Sequence, residues 1–291
     1  MKICCFCQTL FESETWVCPA CKAGPQEGIS GIVFAAPDIA EQGDGFRPEY
    51  FNELARLEGD NFWFRARNAL IIDTLHTHCS NTASFLEVGC GTGNVLAAVA
   101  SDFPSARLVG SEVFRVGLAF AQKRLPNVEF LQMDARRIPY CEEFDAIGAF
   151  DVLEHIDEDS LVLAQMQRAL LPGGTLILTV PQHPWFWTYQ DVLACHVRRY
   201  SAAELIEKVE HAGFRVVDTV SFVSLLFPLM WLSRRISRLD NSHRMDALAD
   251  MRVSPVLNWL LGKVMDIEMF LVKRGLRFPV GGSVLLVAKK Q

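Results

Sequence analysis

Residues 85–94, FLEVGCGTGN, constrain the fold of this 291-residue chain more than any other stretch. A short apolar run meets an acid at Glu87, glycines follow at 89, 91 and 93, and an apolar helical pattern opens at Val95. Strand, glycine turn and helix in that order build a ligand cradle at the carboxyl edge of a parallel sheet. Glycine serves there because the missing Cβ lets the backbone turn sharply and a ligand come close. Apolar runs near 84–88, 107–111, 128–133, 145–150 and 174–180 alternate with helical patterns, which predicts an α/β fold with helices on both faces of the sheet. The acidic run Asp157-Glu158-Asp159 suits the start of a helix over 158–170, and Ser201 with Glu204 is a capping-box signature for a helix over 201–212. A sixth strand is predicted at 214–221, and a last one from Ser283 to Ala288.

The loop's chemistry discriminates between cofactors. The dinucleotide fingerprint is G-x-G-x-x-G, whereas the third glycine here comes one position early. A carboxylate at Glu87 would repel a pyrophosphate and attract a cation. S-adenosylmethionine carries a sulfonium and an ammonium, so the acid favours it over NAD. Glu112, closing the apolar run in ARLVGSEVF, is placed to accept both ribose hydroxyls.

Further motifs follow in order: EVGCGTG at 87–93, Glu112, MDA at 133–135, FDAIGAFDVLEHI at 144–156 and LLPGGTLILTVP at 170–181. With them, the segment from about Ala83 to Val180 resembles a class I S-adenosylmethionine-dependent methyltransferase. The resemblance implies a Rossmann-like seven-stranded sheet whose last strand runs antiparallel beside the sixth. It also implies that Glu87, Gly89, Cys90, Gly91 and Gly93 surround the methionine moiety, and that Glu112, with Val113 beside it, holds the ribose. Asp134 would then meet the adenine amino group, Ala135 would line the ring, and Phe150 and Asp151 would line the cofactor's other side.

The remainder divides by composition. Residues 1–24 hold Cys4-Cys5-Phe6-Cys7 and Cys18-Pro19-Ala20-Cys21; paired C-x-x-C motifs supply tetrahedral zinc ligands in Cys4, Cys7, Cys18 and Cys21. So short a segment cannot build a sufficient core, and four thiolates leave no open position, so the zinc is expected to be structural. Cys5 would compete with Cys4, and free or redox thiols are the alternative. Residues 25–48, rich in Gly, Pro and Asp, read as a linker. Residues 49–80 read as a helical lid, in which Trp63, Arg65 and Arg67 are candidates to close over the cofactor. Arg67 would pair with its carboxylate; a packed aromatic helix with solvated arginines would show the same pattern. The methyltransferase core is expected over 81–221 and 279–291.

Between them, residues 222–278 read as an insertion with apolar helical stretches near 222–239, kinked by Pro228, and 256–272. Apolar bulk ending in Arg234, Arg235 and Arg238 is what an interfacial helix looks like, though a buried subdomain or a subunit interface would share the stripe. Charge separates along the chain as well. Residues 1–218 carry 17 Lys and Arg against 29 Asp and Glu, and residues 219–291 carry 11 against 5. The acidic front argues against nucleic acid, and the basic, apolar tail points to an anionic partner or a membrane surface. Nine cysteines without an apolar leader point to a reducing compartment, the cytoplasm, with peripheral contact at the inner membrane surface.

An oxygen or nitrogen acceptor needs a base. His183 and His196 lie on the loop after the fifth strand, where Trp185, Arg198, Arg199 and Tyr200 are candidates to hold an acceptor's apolar and anionic parts. His196 would equally serve as a helix-capping histidine, and His155 reads as structural. Methyltransferases with a similar H-x-R-R-Y element often accompany cell-envelope glycan or lipid genes. The leading expectation is therefore methyl transfer, at oxygen, to a small or lipid-linked acceptor such as a glycan or quinone. An RNA methyltransferase with a zinc module and a non-catalytic zinc-ribbon adaptor are the alternatives.

Overall fold

A computed structural model describes residues 1–28, 31–40, 46–239, 248 and 251–291. Strands β1 (Lys2–Ile3) and β2 (Leu10–Phe11) form a separate hairpin, followed by β3 (Gln26–Glu27) and β4 (Val33–Phe34). Helices α1 (Phe51–Leu57) and α2 (Phe62–His78) lead into an alternating core. Its elements are β5 (Ser84–Val88), α3 (Asn94–Asp102), β6 (Arg107–Glu112), α4 (Arg115–Arg124), β7 (Glu129–Gln132), β8 (Phe144–Phe150), α5 (Asp159–Ala169) and β9 (Leu170–Pro181). Then come α6 (Tyr189–Leu193), α7 (Ala202–His211), β10 (Phe214–Phe222), α8 (Phe227–Leu239), α9 (Pro255–Lys273) and β11 (Ser283–Lys290).

The main sheet has the order β10-β11-β9-β8-β5-β6-β7-β4-β3. Strands β9, β8, β5, β6, β7 and β4 are parallel, whereas β11 is antiparallel to both β9 and β10. The seven strands from β10 to β7 are the doubly wound sheet expected from the sequence. Its strands read as near-continuous apolar runs because both faces are covered. One face packs Leu96, Leu118 and Ile71 from α3, α4 and α2, and the other Val162, Met166 and Leu205 from α5 and α7.

Three local expectations change. The stretch 25–48 is more than a linker: its buried Ile32 and Val33 bring β4 alongside β7, with Val33 opposite Leu131. The Gln132 amide fastens it, donating to Ala36 O at 2.8 Å and accepting from Ala36 N at 3.1 Å. Residues 49–80 hold two helices, because Asn61 takes an extended backbone and caps α2 by accepting from Trp63 N at 2.9 Å. Pro228 makes no kink. Helix α8 starts at Phe227, so the proline falls in the first turn, where its missing N–H costs nothing.

The N-terminal hairpin sits on the loop before β8. Ile3 N donates to Pro139 O at 2.9 Å, Cys141 N to Met1 O at 3.0 Å, and Trp16 meets Tyr140 edge-on at 5.4 Å. The insertion is anchored to α2 through Asn258, which accepts from Phe62 N at 2.8 Å and donates to Asp60 O at 2.9 Å. Among the described residues, no helix is long and apolar enough to cross a membrane.

Candidate active site

The carboxyl ends of β5, β6, β8 and β9 open into a cavity of about 730 Å³. Its floor is the glycine turn between β5 and α3. Gly89 and Gly93 have φ of +72° and +76°, and a Cβ on Gly89 would come within 2.5 Å of Val152 Cγ2. Only glycine meets both demands. Gly89, Cys90 and Gly91 line the cavity; Gly93 does not, serving as the N-cap of α3.

Glu87 also lines the cavity, is 2% exposed, and its Oε2 has no hydrogen-bond partner. Burial pushes its pKa up to about 8 despite the pull of Arg67. A buried carboxylate oxygen without a partner fits a cationic ligand group. Glu112 is satisfied by the turn itself: Oε2 accepts from Gly91 N at 3.0 Å, and Oε1 from Val113 N at 2.8 Å and Phe114 N at 3.1 Å. Burial still raises its pKa. Val113, Asp134, Ala135, Phe150 and Asp151 line the same space. Asp134 caps the short turn Ala135–Arg137 and pairs with Arg136 at 3.0 Å.

From α2, Trp63 and Arg67 reach the cavity and Arg65 does not. Arg67 Nη1 lies 2.6 Å from Asp151 Oδ2, and its guanidinium stacks over Trp63 at 4.7 Å. The arginine expected to meet a cofactor carboxylate is therefore committed to Asp151 in this structure. The sequence reading missed Glu58, which follows α1 and sits over the turn. It accepts from Thr92 Oγ1 and pairs with Arg124 at 2.6 Å.

The far end holds Glu154, His155, His196 and Arg199, walled by Leu226, Leu229 and Met230 from the insertion. His196 Nδ1 lies 3.0 Å from Asp191 Oδ1, and Arg199 Nε donates to the same oxygen at 2.7 Å. Of the residues expected to hold an acceptor, only Arg199 lines the cavity, and Asp191 occupies it. Tyr200 is fully buried and donates to Asp159 Oδ2 at 2.8 Å; Arg198 pairs with the same carboxylate at 2.6 Å. Trp185 is 60% exposed, against His183 and Phe227. His183 lies off the cavity, and burial lowers its pKa. The reason lies in the backbone: Tyr200 pairs with Gln182 just past β9, and Tyr200 and Arg198 turn to Asp159 on α5. Glu154 and Asp191 carried no separate sequence signal beyond standing near the two histidines.

The four cysteines converge. Cys4 and Cys21 Sγ are 3.6 Å apart, Cys7 and Cys18 Sγ 3.7 Å, and all four lie within 4.8 Å of one another. Sulfurs at about 2.3 Å from a tetrahedral zinc would lie roughly 3.8 Å apart, so the donor set fits. Each C-x-x-C turn closes with a left-handed residue, Gln8 or Lys22, whose N–H donates to Cys4 O at 3.1 Å or Cys18 O at 2.9 Å. Cys5 stands outside the set.

Fold and site together define a Rossmann-like domain built to hold a nucleoside-bearing, cationic cofactor. Residues 85–174 match the family model described as a methyltransferase domain. The chain is 30% identical over 170 residues to a probable S-adenosylmethionine-dependent methyltransferase of Mycolicibacterium smegmatis, covering 56% of this chain and 63% of that one. It is 32% identical over 103 residues to trans-aconitate 2-methyltransferase of an Azoarcus species, covering 35% and 41%. The chain thus spans less than two thirds of these relatives. The crystal structure of the cyclase SpnF superposes with a TM-score of 0.53 at 25% identity, covering 78% of this chain and 83% of that one. Residues 85–174 thus match a methyltransferase domain, and the chain resembles S-adenosylmethionine-dependent methyltransferases.

Proposed function

We propose that the protein transfers a methyl group from S-adenosylmethionine to an oxygen of a small or lipid-linked acceptor. The observation that carries this reading is the buried Glu87 carboxyl, whose Oε2 has no hydrogen-bond partner, in the same cavity as the glycine turn and Glu112. When bound, S-adenosylmethionine supplies the methyl as an electrophile. Glu87 answers its positive charge, Glu112 takes the ribose, and Asp134 with Ala135 takes the adenine. Acceptor and methyl must be aligned in a dry site, so positioning supplies most of the rate. His196, oriented by Asp191, is the group nearest the acceptor end that takes a hydroxyl proton. Zinc on Cys4, Cys7, Cys18 and Cys21 holds the N-terminal hairpin together.

The insertion supports a lipid-linked acceptor. On α9, Val256, Trp259, Leu260, Ile267 and Phe270 are exposed on neighbouring turns, and on α8 so are Leu229, Trp231 and Leu232. Leu229 also lines the cavity, so the exposed apolar surface continues into it. An apolar face with basic residues suits an anionic membrane surface, which would place the protein at the inner face of the cytoplasmic membrane.

Calorimetry with S-adenosylhomocysteine and with NAD tests the cofactor: tight binding of the first and none of the second is expected, and absence of the first sinks the reading. Radiolabelled transfer to lipid, glycan and RNA fractions of cell extract identifies the acceptor. SpnF, a cyclase by its name, makes turnover the decisive observation.

A further inference from the structure

We infer that Glu154, His155 and His196 bind one divalent metal ion at the acceptor end of the cavity, and that the ion selects acceptors whose hydroxyl lies beside a second oxygen. One ligand atom from each residue lies within 4.8 Å of the other two, and all three residues line the cavity. Glu154 is 1% exposed, and its Oε2 is buried without a hydrogen-bond partner. An ionised carboxylate so placed is costly, and the cost is removed by a proton or by a cation.

The histidines are set up as ligands. His155 Nδ1 lies 3.3 Å from the Cys195 carbonyl oxygen, and His196 Nδ1 lies 3.0 Å from Asp191 Oδ1. Both oxygens only accept, so Nδ1 carries the proton and the lone pair falls on Nε2. Imidazoles oriented through the other ring nitrogen by a carbonyl or a carboxylate are the usual support of a metal site. The rings stand edge to face with centroids 4.9 Å apart. Two of the cations that line the cavity are already engaged, Arg67 by Asp151 and Arg199 by Asp191.

Two imidazoles and one carboxylate suit manganese, iron(II) or zinc and leave positions open on one side. An acceptor offering two adjacent oxygens would fill them. This part rests on the methyl-transfer reading. Held there, the ion would lower the pKa of the acceptor hydroxyl, whose O–H bond would break with the proton passing to water. The oxygen then forms a bond to the methyl carbon as the carbon–sulfur bond of S-adenosylmethionine breaks, leaving S-adenosylhomocysteine. His196 is then a ligand, and the ion takes over the deprotonation otherwise assigned to it.

Manganese(II) titration of the full chain, carrying a single equivalent of zinc on the cysteine set by metal analysis and followed by electron paramagnetic resonance, tests the site. Manganese disfavours thiolates, so the cysteine cluster stays silent. One bound equivalent is expected, with affinity falling at least about tenfold in Glu154→Gln and in His196→Gln. Thermal melting identifies any variant that fails to fold, and the more accessible His196→Gln then decides. No bound manganese in the wild type, or unchanged affinity in the folded variants, overturns the inference. S-adenosylhomocysteine calorimetry on the same samples separates the two readings: manganese binding without it keeps the metal site and sinks methyl transfer, and the reverse sinks only the metal site.

Discussion

Asp191 Oδ1 lies 3.0 Å from His196 Nδ1, so the buried carboxylate on α6 fixes an imidazole that lines the cavity. Burial works against ionisation of Asp191, yet the hydrogen bond from His196 and the Arg199 guanidinium hold its pKa down to about 2. It stays anionic across the working range. Replacing His196 with Ala is expected to lower kcat by about 10²- to 10⁴-fold with S-adenosylhomocysteine affinity unchanged. Single-turnover transfer to the active extract fraction, beside calorimetry, measures both.

Glu87 predicts a pH dependence of cofactor binding. Its pKa of about 8 in the ligand-free protein means that a positively charged ligand must first displace a proton below that pH. Affinity for S-adenosylmethionine should therefore tighten as pH rises from about 6 to 8 and level off above, at most about tenfold per pH unit. The folding contribution has the opposite sense. A raised folded-state pKa favours the folded state below the ordinary carboxyl value and loses that advantage as pH rises to about 8. Glu87→Gln should weaken S-adenosylmethionine more than S-adenosylhomocysteine, which lacks the sulfonium, and flatten the profile. Calorimetry across the range checks it.

Removing zinc should release the N-terminal hairpin without unfolding the sheet. The cysteine set ties β1 and β2 together, and Trp16 reports its seating on Tyr140. Chelation, or Cys18→Ser, is expected to change tryptophan emission and to speed hydrogen exchange at Cys141 N, which donates to Met1 O at 3.0 Å. S-adenosylhomocysteine binding should persist, because no residue of the hairpin lines the cavity.

Trp259→Glu with Phe270→Glu should lower flotation with anionic vesicles and leave S-adenosylhomocysteine binding intact. Both residues are more than half exposed on α9, away from the cavity lining. Interfacial binding follows buried apolar area and attraction to anionic lipid, so added salt should weaken it as well. Unchanged flotation of the double variant would refute membrane contact through α9.

Legibility in the sequence followed locality. The strand–turn–helix at 84–102 and the strand-end acid Glu112 were readable because residues adjacent in sequence build them. The cysteine set was readable because two fixed spacings suffice. The loop 181–200 was readable only as a region. Which of Trp185, His196, Arg198, Arg199 and Tyr200 face the cavity depends on Tyr200 pairing with Gln182 and on a buried acid, Asp159, supplied from another helix. Gln182 and Asp159 lie 18 and 41 residues from Tyr200, and such separations leave no periodicity. Glu154 was hidden for the same reason: its importance comes from what surrounds it, not from its neighbours in DVLEHI.

The two-residue strands β3 and β4 have a consequence for self-association. Without them β7 would present an open row of backbone donors and acceptors, the template on which sheets of separate molecules join. With them, the border on this side of the sheet shrinks to Gln26–Glu27, too short to recruit another strand, while β10 forms the opposite border. A short segment that reads as mere spacing in the sequence thus guards this edge of the sheet against pairing with another molecule. A version of the chain beginning after Phe34 should retain its cofactor cavity and lose its solubility.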